Sequence, residues 1–151
     1  LPDSSFHYKK LGEWKKVTCA SPAYFRKLSK PKSPTDLEEH NCLDHADNLK
    51  HTWQYQVDRK SHHQLISGNI RVNNSNDLKQ LALASSGVVY LPNFIVWKEL
   101  ENKSLIHVLE KHEPKPLGMY LIYPSKQFIS KKSQLMIDFI SAILNPYLKS
   151  T

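Results

Sequence analysis

The chain has 151 residues, of which 40% are hydrophobic and 23% are charged, and its formal net charge is +7 at pH 7. This length corresponds to one domain-sized unit with a substantial core, and the longest apolar run falls short of the roughly 20 residues that span a membrane. The basic residues are dispersed among acids, without a zinc-finger, RNP-like or recognition-helix pattern. We therefore expect this chain neither to enter a membrane nor to bind nucleic acid directly.

The first predicted elements alternate in burial or begin with capping residues. Val17 and Cys19 alternate with neighbours in KKVTCAS, which predicts a strand. Ser21 and Pro22 then form the cap and first position of a short helix, AYFRKL. A second helix start follows at 33–36, where Asp36 occupies the capping-box position.

The polar segment after that helix contains four residues of types that bind zinc: His40, Cys42, His45 and His51. Their spacing matches no compact zinc motif, so we predict a solvated loop around a buried 42–43 pair, with no metal and no cofactor. The only other cysteine is Cys19. Two cysteines are too few for a disulfide framework and favour a reducing, cytoplasmic location, although one bridge between them stays possible.

The middle of the chain predicts two extended stretches and then a helix–strand unit. Trp53, Tyr55 and Val57 alternate on one face of WQYQV, which places the aromatic rings in the core. After a polar turn at 67–69, IRVNN predicts a strand that runs into a helix, in which Leu78, Leu81, Ala82 and Ser85 recur at helical spacing. That helix would be capped by one of residues 74–76, end at a left-handed Gly87, and lead into the strand VVYLP.

The last third predicts two strands, SLIHVL and GMYLIYP, and a final helix over 130–148. That helix carries an apolar stripe formed by Leu135, Met136, Phe139, Ile140 and Ile143. Strands alternating with helices indicate an α/β domain with a mixed sheet flanked by helices. No nucleophile elbow, phosphate-binding glycine loop or pair of catalytic carboxylates stands out, and Glu38–Glu39 fit a surface helix. Nothing in the sequence argues for an enzyme.

The start of the middle helix holds more polar residues than capping requires. Asn73, Asn74 and Ser75 follow a strand directly, and a single side chain would suffice as cap. Free backbone N–H groups and the positive end of the helix dipole suit an anionic ligand at such a position. Ligands of open α/β sheets also bind beyond the carboxyl ends of strands. We therefore interpret these three residues as both a cap and a ligand contact.

The order of several short motifs resembles the effector-binding region of LysR-type transcriptional regulators. The motifs are CASPAY, HNCL, a Trp at 53, VNN, GVVYLP, LIHVLE and YLIYP, and the similarity covers nearly the whole chain. The resemblance implies a type-II periplasmic-binding-protein-like fold of two α/β subdomains with a small effector between them. It also implies a cytoplasmic, non-enzymatic regulator that acts as a homo-oligomer and contacts DNA through an N-terminal helix-turn-helix.

By this resemblance, residues 1–117 would form the second subdomain, and 118–151 the returning hinge strand and the C-terminal helix of the first. The rest of the first subdomain would be missing from this chain. The implied effector contacts are Ser21, Pro22, Asn73, Asn74, Ser75, Pro92 and Asn93, with no catalytic or metal-binding residue. The effector is not identified, and the helix start would suit an anion.

This interpretation makes one testable prediction and leaves two alternatives. Without its subdomain partner, the stripe of the final helix would be exposed, so we expect the chain to self-associate through Leu135–Leu144. The alternatives are a free-standing solute-binding module of the same ancestral fold, or a small metal-dependent enzyme around His40, Cys42 and His45. Stoichiometric zinc would favour the enzyme, and a complete first lobe with a signal peptide would favour the module.

Overall fold

A computed structural model describes residues 6–124 and 130–148 and divides the chain into two compact units. One unit is Lys15–Lys115, and the other joins the first 14 residues to the segment from Pro116 onward. The sequence predictions for residues 1–5, 125–129 and 149–151, including part of the predicted return segment, lie outside the described residues.

The unit Lys15–Lys115 is built on a five-stranded mixed sheet in the order β6-β3-β7-β2-β8. Its strands are β2 (Lys16–Ala20), β3 (Cys42–His45), β6 (Arg71–Val72), β7 (Val88–Pro92) and β8 (Ile106–Val108). Strands β6, β3 and β7 are parallel to one another, whereas β2 runs antiparallel to both β7 and β8. The carboxyl ends of β6, β3 and β7 therefore meet at one edge of the sheet, where β2 begins.

Alternation along the strands divides the core between the two faces of the sheet. Helices α2 (Ser75–Leu83) and α3 (Asn93–Glu101) contribute Leu78, Ala82 and Val96 to one apolar cluster. The other cluster contains residues of α1 (Pro22–Lys27), a 3₁₀ helix (Pro34–Glu39), and the hairpin of β4 (Thr52–Val57) and β5 (Lys60–Leu65). The predicted core positions Trp53 and Tyr55 are confirmed, with exposures of 2% and 0%.

The predicted buried 42–43 pair is confirmed, but the loop predicted around it is wrong at 44–45, because β3 continues through these residues inside the sheet between β6 and β7. The sequence obscured this strand, because Asp44 and His45 are polar. Asp44 is nevertheless buried, and its carboxylate accepts hydrogen bonds from Trp53 Nε1 at 3.0 Å and Asn48 Nδ2 at 2.8 Å. These donors replace the water that burial removes.

The two cysteines cannot pair in this fold. Cys19 belongs to the cluster under α2 and α3, and Cys42 to the cluster under the hairpin, so their side chains point to opposite faces. Both thiols are free. Burial raises the pKa of each thiol to about 12, which keeps both protonated at neutral pH.

Helix α2 starts as predicted and ends differently. Asn74 is the N-cap, and its Oδ1 accepts from Asn76 N at 2.8 Å. The left-handed residue after the helix is Ser85 with φ 64°, not Gly87. Gly87 is needed for close approach instead, since a Cβ there would overlap Asn41 O and lie 2.8 Å from Leu43 Cγ.

The second unit contains a two-stranded antiparallel ribbon and one helix. Strand β1 (Phe6–Trp14), which the sequence analysis missed, pairs with β9 (Leu117–Pro124), and α4 (Lys131–Leu148) packs on β1. Ile137 of α4 is buried. Most of the predicted stripe is exposed, as the sequence analysis expected: Leu135 66%, Met136 57%, Phe139 62% and Ile143 47%. Helix α3 was also missed in the sequence, because no cap residue precedes it and Pro92 takes the N-cap position.

A buried histidine makes the unit Lys15–Lys115 sensitive to acid. His40 lies against Tyr24, with Nδ1 3.3 Å from the tyrosine hydroxyl, and burial lowers its pKa below the ordinary 6.5 although Glu39 and Asp36 oppose this. The unfolded chain then binds the proton more tightly, so stability should fall as the pH drops below about 6.5. We expect the urea midpoint to fall less between pH 7.5 and 5.5 in His40→Asn than in the parent. An equal fall in both would contradict this.

Candidate functional site

The carboxyl edge of the sheet collects most of the predicted contact residues. Asn73–Ser75 follow β6, and Pro92–Asn93 end β7 and begin α3. Lys16, at the start of β2, is paired with Pro92. Because adjacent strands are about 4.8 Å apart, the edge from β6 to β2 is roughly 14 Å wide.

At the β6 end of this edge, two side chains form hydrogen bonds within the protein and a third is exposed. The cap oxygen of Asn74 is used within the helix, and Ser75 Oγ lies 3.0 Å from His45 Nε2 at the end of β3. Asn73 is exposed, and its side chain makes no hydrogen bond to a described residue. This end therefore presents one amide, one imidazole and a helix N-terminus to solvent.

The central part of the edge is held by a reciprocal pair between Asn93 and Lys15. Lys15 N donates to Asn93 Oδ1 at 3.2 Å, and Asn93 N donates to Lys15 O at 2.8 Å. The side-chain oxygen of Asn93 is thus used to position the beginning of β2. Only its Nδ2 group is left for a ligand.

At the β2 and β8 end, a nearly buried carboxylate is bound by a lysine and a histidine. Glu113 receives hydrogen bonds from His107 Nε2 and Lys15 Nζ, and its side chain is 7% exposed. Burial opposes ionisation, but the bonds from His107 and Lys15 outweigh it and hold the pKa of Glu113 below its usual range. The charge of Lys15 is therefore satisfied within the protein.

Lys16 is the cation of this edge that no carboxylate neutralises among the described residues. Its Nζ lies 5.3 Å from the ring centre of Tyr90, a cation–π contact that leaves the ammonium able to bind an anion. The sequence analysis missed Lys16 and gave His45 no part in the effector site. Their positions at strand ends were the available signal, but which strand ends share an edge depends on the strand order.

Ser21 and Pro22 lie at the opposite edge. They follow β2, which runs against β7, so they are close to where β7 begins, roughly 13 Å from its carboxyl end at about 3.3 Å per residue. Ser21 Oγ accepts from Tyr24 N at 3.1 Å and lies 2.7 Å from Ser85 Oγ. The structure therefore does not bring these two residues together with the other five.

The residues considered for zinc do not form a metal centre in the part of the chain that the structure describes, where no group of three His, Cys, Asp or Glu side chains could hold an ion. Among the same residues, no helix has the length and apolar character required to cross a membrane.

An open mixed sheet with helices on both faces and polar groups at the carboxyl edge is the arrangement of an α/β ligand-binding domain. The family model described as LysR substrate binding domain matches residues 1–144, and the chain belongs to this family.

Its relatives are transcriptional regulators rather than enzymes. One is the uncharacterized HTH-type transcriptional regulator YhjC of Escherichia coli, 28% identical over 98% of this chain and 50% of the relative. Another is the HTH-type transcriptional regulator PtxR of Pseudomonas aeruginosa, 27% identical over 90% of this chain and 44% of the relative. The chain thus spans about half the length of these relatives.

Solved structures give the same fold. The regulatory domain of AphB from Vibrio vulnificus has a TM-score of 0.82 at 24% identity, covering 94% of this chain and 71% of that domain. Full-length AphB of Vibrio cholerae has a TM-score of 0.80 at 26% identity, covering 95% of this chain and 49% of that protein. These likenesses confirm the predicted type-II periplasmic-binding-protein-like α/β fold and the predicted family.

Proposed function

We propose that this chain is the effector-sensing part of a LysR-type DNA-binding transcriptional regulator. The observation that carries the proposal is the match of the family's substrate-binding domain to residues 1–144. The effector would be a small molecule bound at the carboxyl edge of the sheet in Lys15–Lys115. DNA would be contacted by a helix-turn-helix segment outside these 151 residues, in the cytoplasm, and effector binding would change promoter binding by shifting an equilibrium between states.

The charges at that edge favour an anionic effector. Lys16 is a cation without a carboxylate partner among the described residues, and the N-terminus of α2 lies at the same edge. Glu113, at the β2 end of this edge, is bound by Lys15 and His107, and Asp77 lies in the first turn of α2. Asn73 and the Nδ2 of Asn93 would add hydrogen bonds to the effector. Ser21 and Pro22 lie at the other edge, so we leave them out of the proposed contact set.

The two ends of the sheet provide a matched test. Small aliphatic and aromatic carboxylates would be screened by the increase that they cause in the unfolding temperature of the chain. For a carboxylate that binds, Lys16→Ala should weaken binding about tenfold through the lost charge. Lys27→Ala removes the same charge from the last turn of α1, and should change affinity less than about twofold because salt screens distant charges. Equal losses in both variants would contradict a site at the carboxyl edge.

We also propose that the regulator self-associates through the exposed face of α4, with a second copy of the chain as the partner. Leu135, Met136, Phe139 and Ile143 fall on adjacent turns and are each 47–66% exposed. A contiguous apolar face of this kind is a common association surface of soluble proteins. The polar neighbours Lys131 and Lys132 border this face rather than interrupt it.

Light scattering tests the association. We expect the parent chain to change from monomer to dimer with increasing concentration, and Phe139→Lys to remain monomeric because it buries a charge in the contact. Lys131→Ala on the same helix should dimerise like the parent. A parent chain that is monomeric over the whole accessible concentration range would refute the proposal.

A further inference from the structure

A recess lies in the unit Lys15–Lys115, on the sheet face that packs against the β4–β5 hairpin. It measures about 190 Å³ and is lined by Cys42, Asp44, His51, Ile66, Ser67, Gly68 and Arg71. It runs beside β3 and the edge strand β6 and includes residues from the amino-terminal part of β3. It is therefore distinct from the proposed effector site beyond the strand ends.

The recess contains one carboxylate, that of Asp44. The Asp44 carboxylate is 6% exposed, and its two oxygens accept hydrogen bonds from the neutral donors Trp53 Nε1 and Asn48 Nδ2. No lysine, arginine or histidine among the described residues forms an ion pair with it. Buried carboxylates are normally paired with a cation. Arg71, the register partner of Asp44 on β6, lines the same recess but forms no ion pair with it.

The recess also contains one guanidinium, that of the exposed Arg71. Arg71 Nη2 donates to three backbone carbonyls, those of His45, Ala46 and Asn48, at 3.2, 3.0 and 2.9 Å. These bonds fix the guanidinium on the 45–48 loop and leave its other N–H groups without a described partner. A planar guanidinium held in this way is suited to a carboxylate.

Of the remaining lining, Gly68, Ile66 and Cys42 offer no charged group, and His51 adds an imidazole. Gly68 approaches so closely that a Cβ would overlap Cys42 O, and Ile66 adds an apolar surface. The Cys42 thiol is directed to Leu37 O at 3.6 Å. The volume is below the roughly 300–1,000 Å³ of sites for drug-sized ligands, so the occupant must be small.

We propose that this recess is a second small-molecule site and that it binds a small zwitterion, with an ammonium group on Asp44 and a carboxylate on Arg71. An α-amino acid is the simplest molecule of this class. The opposite charges of the neighbouring Asp44 and Arg71 set the orientation of the ligand, and the volume limits the size of its side chain.

The standard L-amino acids would be tested one by one at millimolar concentration for an increase in unfolding temperature of the 151-residue chain. We expect at least one to bind, and its analogues lacking either the amine or the carboxylate to bind about tenfold more weakly. Asp44→Asn keeps an acceptor for Trp53 and removes the charge, so it should weaken binding about tenfold. Asp47→Asn, at a neighbouring exposed carboxylate, should leave binding unchanged.

Ser67→Leu at the exposed rim provides a second variant that does not touch the core, and it should block the recess even if Asp44→Asn fails to fold. The proposal is overturned if no amino acid raises the unfolding temperature, or if binding persists in Ser67→Leu. It is also overturned if Lys16→Ala abolishes amino-acid binding, because the ligand would then occupy the carboxyl edge. If simple carboxylates fail to bind at the carboxyl edge, the proposal for the recess is unaffected.

Discussion

Gly68→Ala is expected to destabilise the unit Lys15–Lys115 by at least about 3 kcal/mol, near the upper end of overpacking costs. The new methyl group would overlap Cys42 O and lie 2.7 Å from Cys42 C, and both of these obstacles are backbone atoms of β3. Relief requires the 66–70 segment to move away, which breaks the bond from Cys42 N to Ser67 O at 2.9 Å. Urea unfolding followed by circular dichroism would measure the loss.

Gly118→Ala is the matched control for that substitution. Its methyl group would also be too close to a neighbour, 2.5 Å from Tyr120 Cε2, but the neighbour is the end of a half-exposed side chain that can rotate away. We expect a cost below about 1 kcal/mol there, since surface substitutions are usually small in effect. Similar losses in both variants would show that the backbone approach at Gly68 is less close than the structure indicates.

Glu113→Ala should cost about 3 kcal/mol at neutral pH, because it leaves Lys15 and His107 without the carboxylate that binds both. The side chains of Lys15 and His107 are 25% and 23% exposed, so water recovers only part of the lost interaction. Glu110 also faces His107, at 3.8 Å, but its side chain is 68% exposed. Glu110→Ala should therefore cost less than about 1 kcal/mol.

The pH dependence of this difference adds a second check. The folded pKa of Glu113 is lower than the ordinary 4.5, so its contribution is fully present above that pH and is lost as acid protonates the folded protein. The stability gap between the parent and Glu113→Ala should therefore narrow below about pH 4.5, measured by urea unfolding at fixed salt. A gap that stays constant at acid pH would assign the loss to packing rather than charge.

Local chemistry identified the elements whose signals lie within a few neighbouring residues. Asn74 caps α2 because its side chain reaches Asn76 N, and the alternation of Trp53 and Tyr55 follows from the two-residue period of a strand. The same logic failed at β3, where Asp44 looks like a loop residue until its partners Trp53 and Asn48 are known. Those donors lie several residues away, and a pattern search has no access to them.

The predicted effector contacts show the same division. Each was chosen correctly as a residue at the end of a strand or the start of a helix, and Asn73–Ser75 and Pro92–Asn93 do share one edge of the sheet. Ser21 lies at the other edge because β2 runs antiparallel to β7. Lys16 is brought to the carboxyl edge of the sheet for the same reason. Strand direction arises from pairing between distant segments, so spacing along the chain does not specify it.

The sequence by itself determined the family, the α/β class, the cap of α2 and the apolar stripe of α4, because each of these depends on residue order or on local periodicity. Only the tertiary structure decided which edge each residue occupies, that Glu113 binds Lys15 and His107, and that Asp44 and Arg71 share a recess. These arrangements depend on the sheet order β6-β3-β7-β2-β8, in which sequence neighbours are separated and distant segments hydrogen-bond to each other. That pairing decides which charged side chains lie next to one another.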